Sequence, residues 1–263
     1  MNLKVRLSLM NFLQFAVWGA YLTSMGRYLG NIGIASEIGW FYSMQGVVSI
    51  FMPALMGIVA DRWIPAQRLL GYCHLLAGVF MFATAYYGAT AGDHVAFSTI
   101  FSLYTVSVAF YMPTLALTNS VAYSALSQAG MDTVKDFPPI RVFGTIGFIV
   151  TMWFVDLMGF QSNQYQFVTS GAISIILFLY TFSLPHCNIS DKTEQKSLVD
   201  ALGLRAFALF RQKRMAIFFI FSMLLGVSLQ ITNSFANPFL FSFKAIPEYA
   251  NSFGVQHANI LIS

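Results

Sequence analysis

Leu7-Ser-Leu-Met-Asn-Phe-Leu-Gln-Phe-Ala-Val-Trp-Gly-Ala-Tyr-Leu-Thr-Ser-Met-Gly26 lies between Arg6 and Arg27, twenty residues without a charge. A helix needs roughly 20 mainly apolar residues to cross a bilayer, so this run predicts a first membrane span over 7–26. The pattern recurs along the chain. No Asp, Glu, Lys or Arg stands between Glu37 and Asp61, which predicts a second span at 38–60, and a third runs over 69–92. Between His94 and Asp132 lie 37 uncharged residues, predicting a fourth span near 95–117 with a polar helical extension. Only 14 residues separate Arg141 from Asp156, so a fifth span near 138–159 must take Arg141 into its first turns. The sixth is expected at 165–184, the seventh at 215–241, and an eighth begins near Gln256. Only helices or closed barrels satisfy backbone groups in lipid, and runs of this length mean helices.

Composition agrees. Charged residues are 9% of the 263 and hydrophobic residues 57%, against about 25% charged in an average soluble domain. Lys and Arg fix the expected orientation. With the N-terminus inside, Lys4, Arg6, Arg62, Arg68, Lys135, Lys192, Lys196, Arg205, Arg211, Lys213 and Arg214 share the inner side, and only Arg27 and Lys244 the outer. The net charge of +4 is absorbed by topology and gives no reason to expect nucleic acid. The first span is too long for a cleavable signal peptide. Cys73 and Cys187 form no disulfide framework. No metal-ligand spacing, phosphate loop or nucleophile elbow is present, so an enzyme is not expected. His74, inside the third span, reads either as a functional group or as a packed histidine.

Segment 185–214 is the one long polar connection, with Asp191, Lys192, Glu194, Lys196 and Asp200 and a possible short helix at 198–210. We therefore expect a six-helix transmembrane bundle over 1–184, a cytoplasmic connector over 185–212, and the start of a second bundle over 213–263. Two six-helix halves around a central pathway is the layout of the major facilitator superfamily. The turn Gly57-Ile-Val-Ala-Asp61-Arg62-Trp63, followed by Arg68, resembles that superfamily's cytoplasmic signature G-x-x-x-D-R-x-G-R-R/K. There the acid and the basic residues form a conformational latch. Ile64, Pro65 and Ala66 depart from the pattern, and an ordinary basic turn would also suit these residues.

Polar groups inside spans are costly and are functional candidates. Arg141, Thr145 and Phe148 share one helix face by their spacing, offering a cation, a hydroxyl and a ring; alternatively Arg141 snorkels to the interface. In the seventh span Gln230, Asn233 and Asn237 fall at i, i+3 and i+7. Their carboxamides offer paired donors and acceptors suited to a base edge or to sugar hydroxyls. They also suit interhelical hydrogen bonding.

The whole chain closely resembles the bacterial nucleoside:proton symporter family. The likeness is carried by Gln14-Phe15 with Trp18-Gly19, Phe51-Met-Pro-Ala-Leu55 through Trp63, and Tyr111-Met-Pro-Thr114. It continues in Ala129-Gly-Met-Asp132, Asp136-Phe-Pro-Pro-Ile-Arg141, Gly144-Thr-Ile-Gly-Phe148, Lys213 to Gly226 and Leu229-Gln-Ile-Thr-Asn233. The resemblance implies an all-α major facilitator: a complete N-terminal six-helix bundle, helix 7 and the start of helix 8. It also implies proton symport of a nucleoside by alternating access in the bacterial inner membrane, with the N-terminus cytoplasmic. Such a protein uses the proton gradient and no cofactor, its partners are substrate, protons and lipid, and we expect a monomer. Arg141, Thr145, Phe148, Gln230 and Asn233 match the family's site positions, with base stacking expected of Phe148; Asn237 rests on spacing alone. The family carries a further Gln and a carboxylate on its eighth helix, whereas this sequence stops at Ser263. We therefore expect a fragment of a longer permease, with the proton-coupling acid downstream. Every acid present, including Asp156, maps to a loop or a helix end. The alternatives are a facilitator of another class (xanthosine-specific, sugar or drug) and a non-transporting membrane module or channel subunit.

Overall fold

The computed structural model describes residues 2–187 and 209–263, and these are helical almost throughout. The ten helices used below are α1 (Leu3–Gly19), α2 (Met25–Asn31), α3 (Ile38–Arg62), α4 (Ala66–Thr90), α5 (Phe97–Gln128), α6 (Thr133–Leu157), α7 (Tyr165–Thr181), α8 (Lys213–Ser242), α9 (Phe253–Gln256) and α10 (Ala258–Ile262). Among the described residues, five stretches are long and apolar enough to cross a membrane: Ala35–Arg62, Ala66–Thr90, Phe97–Gln128, Thr133–Leu157 and Lys213–Ala245. The possible helix at 198–210, together with Asp191, Lys192, Glu194, Lys196, Asp200 and Arg205, falls wholly or largely outside the described residues.

The first expected span is not one regular helix. Regular structure stops at Gly19 and resumes at Met25. A broken turn exposes carbonyls that lipid cannot hydrate, and the protein covers one of them: the Tyr42 hydroxyl donates to the Leu22 carbonyl at 2.7 Å. The fourth span and its expected extension form one continuous helix, α5, which contains Pro113. The eighth begins as two short turns, α9 and α10, separated by His257. Asp132 caps α6, accepting from the amides of Val134 and Lys135, which satisfies donors the first helical turn leaves free.

The long helices alternate in direction. Lys4 pairs with Asp136 at 2.7 Å and the Tyr180 hydroxyl reaches the Arg6 carbonyl, so the starts of α1 and α6 and the end of α7 share one end. At the opposite, far end, Arg27 and Asn31 bond to Ser162, joining α2 to the α6–α7 turn. Within the bundle α1 packs on α6 and α7, α4 on α5 and α7, and α3 on α5. The α1–α6 seam is narrow because of glycine. A Cβ on Gly19 would collide with the Phe148 backbone, and one on Gly147 with the Phe12 backbone. Small residues let membrane helices approach this closely.

Two apolar clusters fill the bundle. Tyr21, Tyr28, Phe41, Tyr104 and Phe167 lie in one, and Leu7, Met10, Leu70, Val121 and Leu177 in the other. Trp40, Ile50, Phe51, Leu179 and Phe221 point outward, as a lipid-facing surface requires. Helix α8 leans on the bundle only near the far end. Its buried residues, Ser234 and Asn237, lie in its last third, and most of its first half is exposed.

Candidate substrate site

Two helices, α1 and α6, bring one group of candidate residues together. The Arg141 guanidinium lies 3.9 Å above the Phe15 ring, a cation–π contact that strengthens away from water. Gly144 makes room for it, since a Cβ there would meet both Phe15 and Arg141. One turn further along α1, Trp18 meets Phe148 edge to face, with centroids 6.3 Å apart. Trp18 also packs on Tyr111 at 6.3 Å. Thr145 lies exposed on α6, four residues after Arg141.

Trp18 is pinned from behind. Its indole N–H donates to Gln45 Oε1 at 3.3 Å, and Gln45 Nε2 donates to the Tyr104 hydroxyl at 2.7 Å. A second network, fully buried, lies beside it. Gln14 Nε2 donates to Thr114 Oγ1 at 2.7 Å, Thr118 donates to Gln14 Oε1 at 2.9 Å, and His74 Nε2 lies 2.8 Å from the same oxygen. A carbonyl oxygen only accepts, so with this amide orientation His74 carries its proton on Nε2. His74 Nδ1 has no partner among the described residues. The histidine is thus a packed member of the core.

Helix α8 stands across from Trp18. Between α1, α3, α5 and α8 lies a cleft of about 620 Å³, bounded by Trp18, Gln45, Ser49, Met112, Gln230 and Phe235. Gln230 Nε2 is buried and without a partner among the described residues. A buried unsatisfied donor costs roughly 1–3 kcal/mol, so this amide is a ready contact for an acceptor brought by a ligand. Asn233 is half-buried, with no side-chain hydrogen bond among the described residues. Asn237 lies elsewhere. It is fully buried at the far end and donates to Gln161 Oε1 at 2.7 Å and Asn259 Oδ1 at 2.6 Å. Of the residues expected on spacing and resemblance, Gln230 alone lines the cleft directly. Arg141 and Phe148 reach it through Phe15 and Trp18.

Trp18 and Gln45 carry no role in the sequence reading. A lone carboxamide inside the second span was the available sign for Gln45. At the opposite end from the Asn237 cluster, Asp61, Arg62 and Arg68 are exposed on the α3–α4 turn. No ion pair within 4 Å joins them among the described residues.

Residues 1–263 match the family model described as nucleoside H+ symporter. The chain belongs to the nucleoside H+ symporter family. Within this family it is 47% identical over 266 residues to the nucleoside permease NupG of Escherichia coli (strain K12). It is 44% identical over 265 residues to the xanthosine permease of the same organism. Both alignments take in 100% of this chain and 62% of the relative, so the chain spans under two thirds of the length of the curated proteins it matches. Two crystal structures of the nucleoside transporter NupG superimpose with TM-scores of 0.87 and 0.82 at 46% identity, covering 99% of this chain and 63% of theirs. The symporter-family chain therefore has the all-α major facilitator fold, with one six-helix bundle and the beginning of the next. Its homologues are permeases and transporters rather than enzymes.

Proposed function

We propose that this chain supplies the first bundle and helix 7 of a permease that moves a nucleoside with a proton across the bacterial inner membrane by alternating access. The N-terminus is cytoplasmic, the proton gradient drives uptake without a cofactor, and the working unit is a monomer in lipid. The observation that carries this reading is the cleft in which the Trp18 ring faces α8 and the unpaired Gln230 amide. A nucleoside has a flat base with acceptors on its edge and a hydroxyl-bearing ribose, and that wall matches both. Trp18 and Phe148 pack against the base. Gln230 and Asn233 hydrogen-bond to base or ribose, while Thr145 and Arg141 contribute a hydroxyl and a cation. Asn237 acts in closing the far end. Asp61, Arg62 and Arg68 form the cytoplasmic latch in the state where the halves meet there.

The test is uptake of radiolabelled uridine by the native polypeptide in energised membrane vesicles, with and without a protonophore. Accumulation should collapse with the protonophore. Gln230→Ala and Arg141→Ala should each weaken apparent affinity by about tenfold, the loss of roughly one charged or buried hydrogen bond. Normal affinity in both would remove the site assignment, and absent uridine uptake with sugar uptake intact would remove the substrate class. The 44% identity to a xanthosine permease makes xanthosine the competitor to include.

A further inference from the structure

The far end of the cleft is shut by a buried polar knot centred on Asp156, in the last turn of α6. The carboxyl side chain is 0% exposed. Its Oδ1 accepts from His257 Nδ1 at 2.6 Å, and its Oδ2 accepts from the backbone amides of Asn259 and Ile260 at 3.0 and 3.3 Å. All three donors come from the segment that follows α8. Around this centre the same two parts are joined again. Asn237 of α8 donates to Gln161 of the α6–α7 turn and to Asn259, and Thr23 of the α1–α2 bend donates to Asn259 at 3.0 Å. Arg27 of α2 donates to Ser162 at 2.6 Å and to the Val255 carbonyl at 3.3 Å, with its guanidinium 3.9 Å over Phe241 of α8.

A buried carboxylate is tolerated only while it is paired and hydrogen-bonded, and removing its partners leaves an uncompensated charge. Asp156 has its partners only while the segment after α8 stays docked. Opening this end therefore strands the charge unless a proton neutralises it first. The charged or titratable groups facing Asp156 are His257 from that segment and Arg27 from α2. His257 is 34% exposed, so it touches both solvent and the buried acid. We propose that Asp156 and His257 form a proton-operated clasp on the outer gate, resting on the alternating-access reading above. An outside proton adds to His257 Nε2, and the Nδ1 proton passes to Asp156 Oδ1. This leaves a neutral imidazole and a neutral acid, so undocking strands no charge and the docked segment is released.

The experiment uses the native polypeptide with Cys73→Ser, Cys187→Ser and a reporter, Ser234→Cys, at a buried position against Gly26 of α2. A membrane-impermeant maleimide is added from outside, without substrate. The labelling rate should rise as external pH falls. Asp156→Asn, which mimics the neutral acid, should label about fivefold or more faster than its parent at neutral pH and should lose the pH response. His257→Gln keeps a donor to the carboxylate but cannot take up and relay a proton, and should also lose the response. It decides the matter even if Asp156→Asn does not fold. A pH-independent parent, or a full response in His257→Gln, overturns the proposal. Because labelling needs no nucleoside, a protein that labels as expected but transports no uridine sinks only the substrate reading.

Discussion

Arg141 shows how much a single side chain depends on its shape. Its planar guanidinium sits 3.9 Å over the Phe15 ring, and Gly144 leaves room for that contact. A lysine keeps the charge but presents a compact ammonium with no planar face. Arg141→Lys should therefore fail to restore uridine affinity lost in Arg141→Ala, as measured by binding in detergent. Recovery to the parent value would mean that charge alone matters. Gln14 makes the contrasting case. It touches no cleft, yet its amide joins Thr114, Thr118 and His74 in a fully buried network. Gln14→Leu removes one partner from each of these and should lower stability by about 1–3 kcal/mol. Thermal unfolding of the purified protein reads this, and an unchanged midpoint would show the network to be slack.

The helices themselves were largely legible in the sequence, for a physical reason. Lipid forbids charges over a fixed length, so Glu37, Asp61 and Asp93 mark where spans must end, and α3 and α4 fall close to those limits. The bend after Gly19 was hidden because no proline or charge marks it; Tyr42, a residue of another helix, covers the Leu22 carbonyl. The site was legible by helix face only. Spacing joins Gln230 to Asn237, but seven residues amount to about 10 Å along a helix axis, enough to carry Asn237 from the cleft into the far-end knot. The rings that stand between that face of α6 and the cleft, Phe15 and Trp18, come from α1, and no periodicity within α6 points to them. What brings them close is the glycine seam, and it can be tested as an element. Gly147→Leu places side-chain atoms where the Phe12 backbone stands, forcing α1 off α6 at a cost of about 1–3 kcal/mol or more. It should lower the thermal midpoint and weaken uridine binding together, because Phe15 and Trp18 move with α1. Loss of stability with binding intact would separate the seam from the site.

At the scale of the whole molecule, orientation decides which end the knot closes. Helix directions place Lys4, Arg6, Arg62, Arg68 and Lys135 at the end where α1 begins, and Arg27 and Lys244 at the other. Lys and Arg near span ends are held on the cytoplasmic side; on the orientation proposed above, the knot faces outward and the open side of α8 faces the cytoplasm. The proposed orientation rests on the expected bias over the full sequence, eleven against two. Removing two inner charges with Arg62→Gln and Arg68→Gln leaves nine against two and should not invert the protein. In a background without Cys73 and Cys187, Lys244→Cys should react with an impermeant maleimide on intact cells, before and after those two substitutions. Lys4→Cys should react only once the membrane is permeabilised. The reverse pattern would place the Asp156 clasp on the cytoplasmic side, and acid outside the cell would then have no direct route to it.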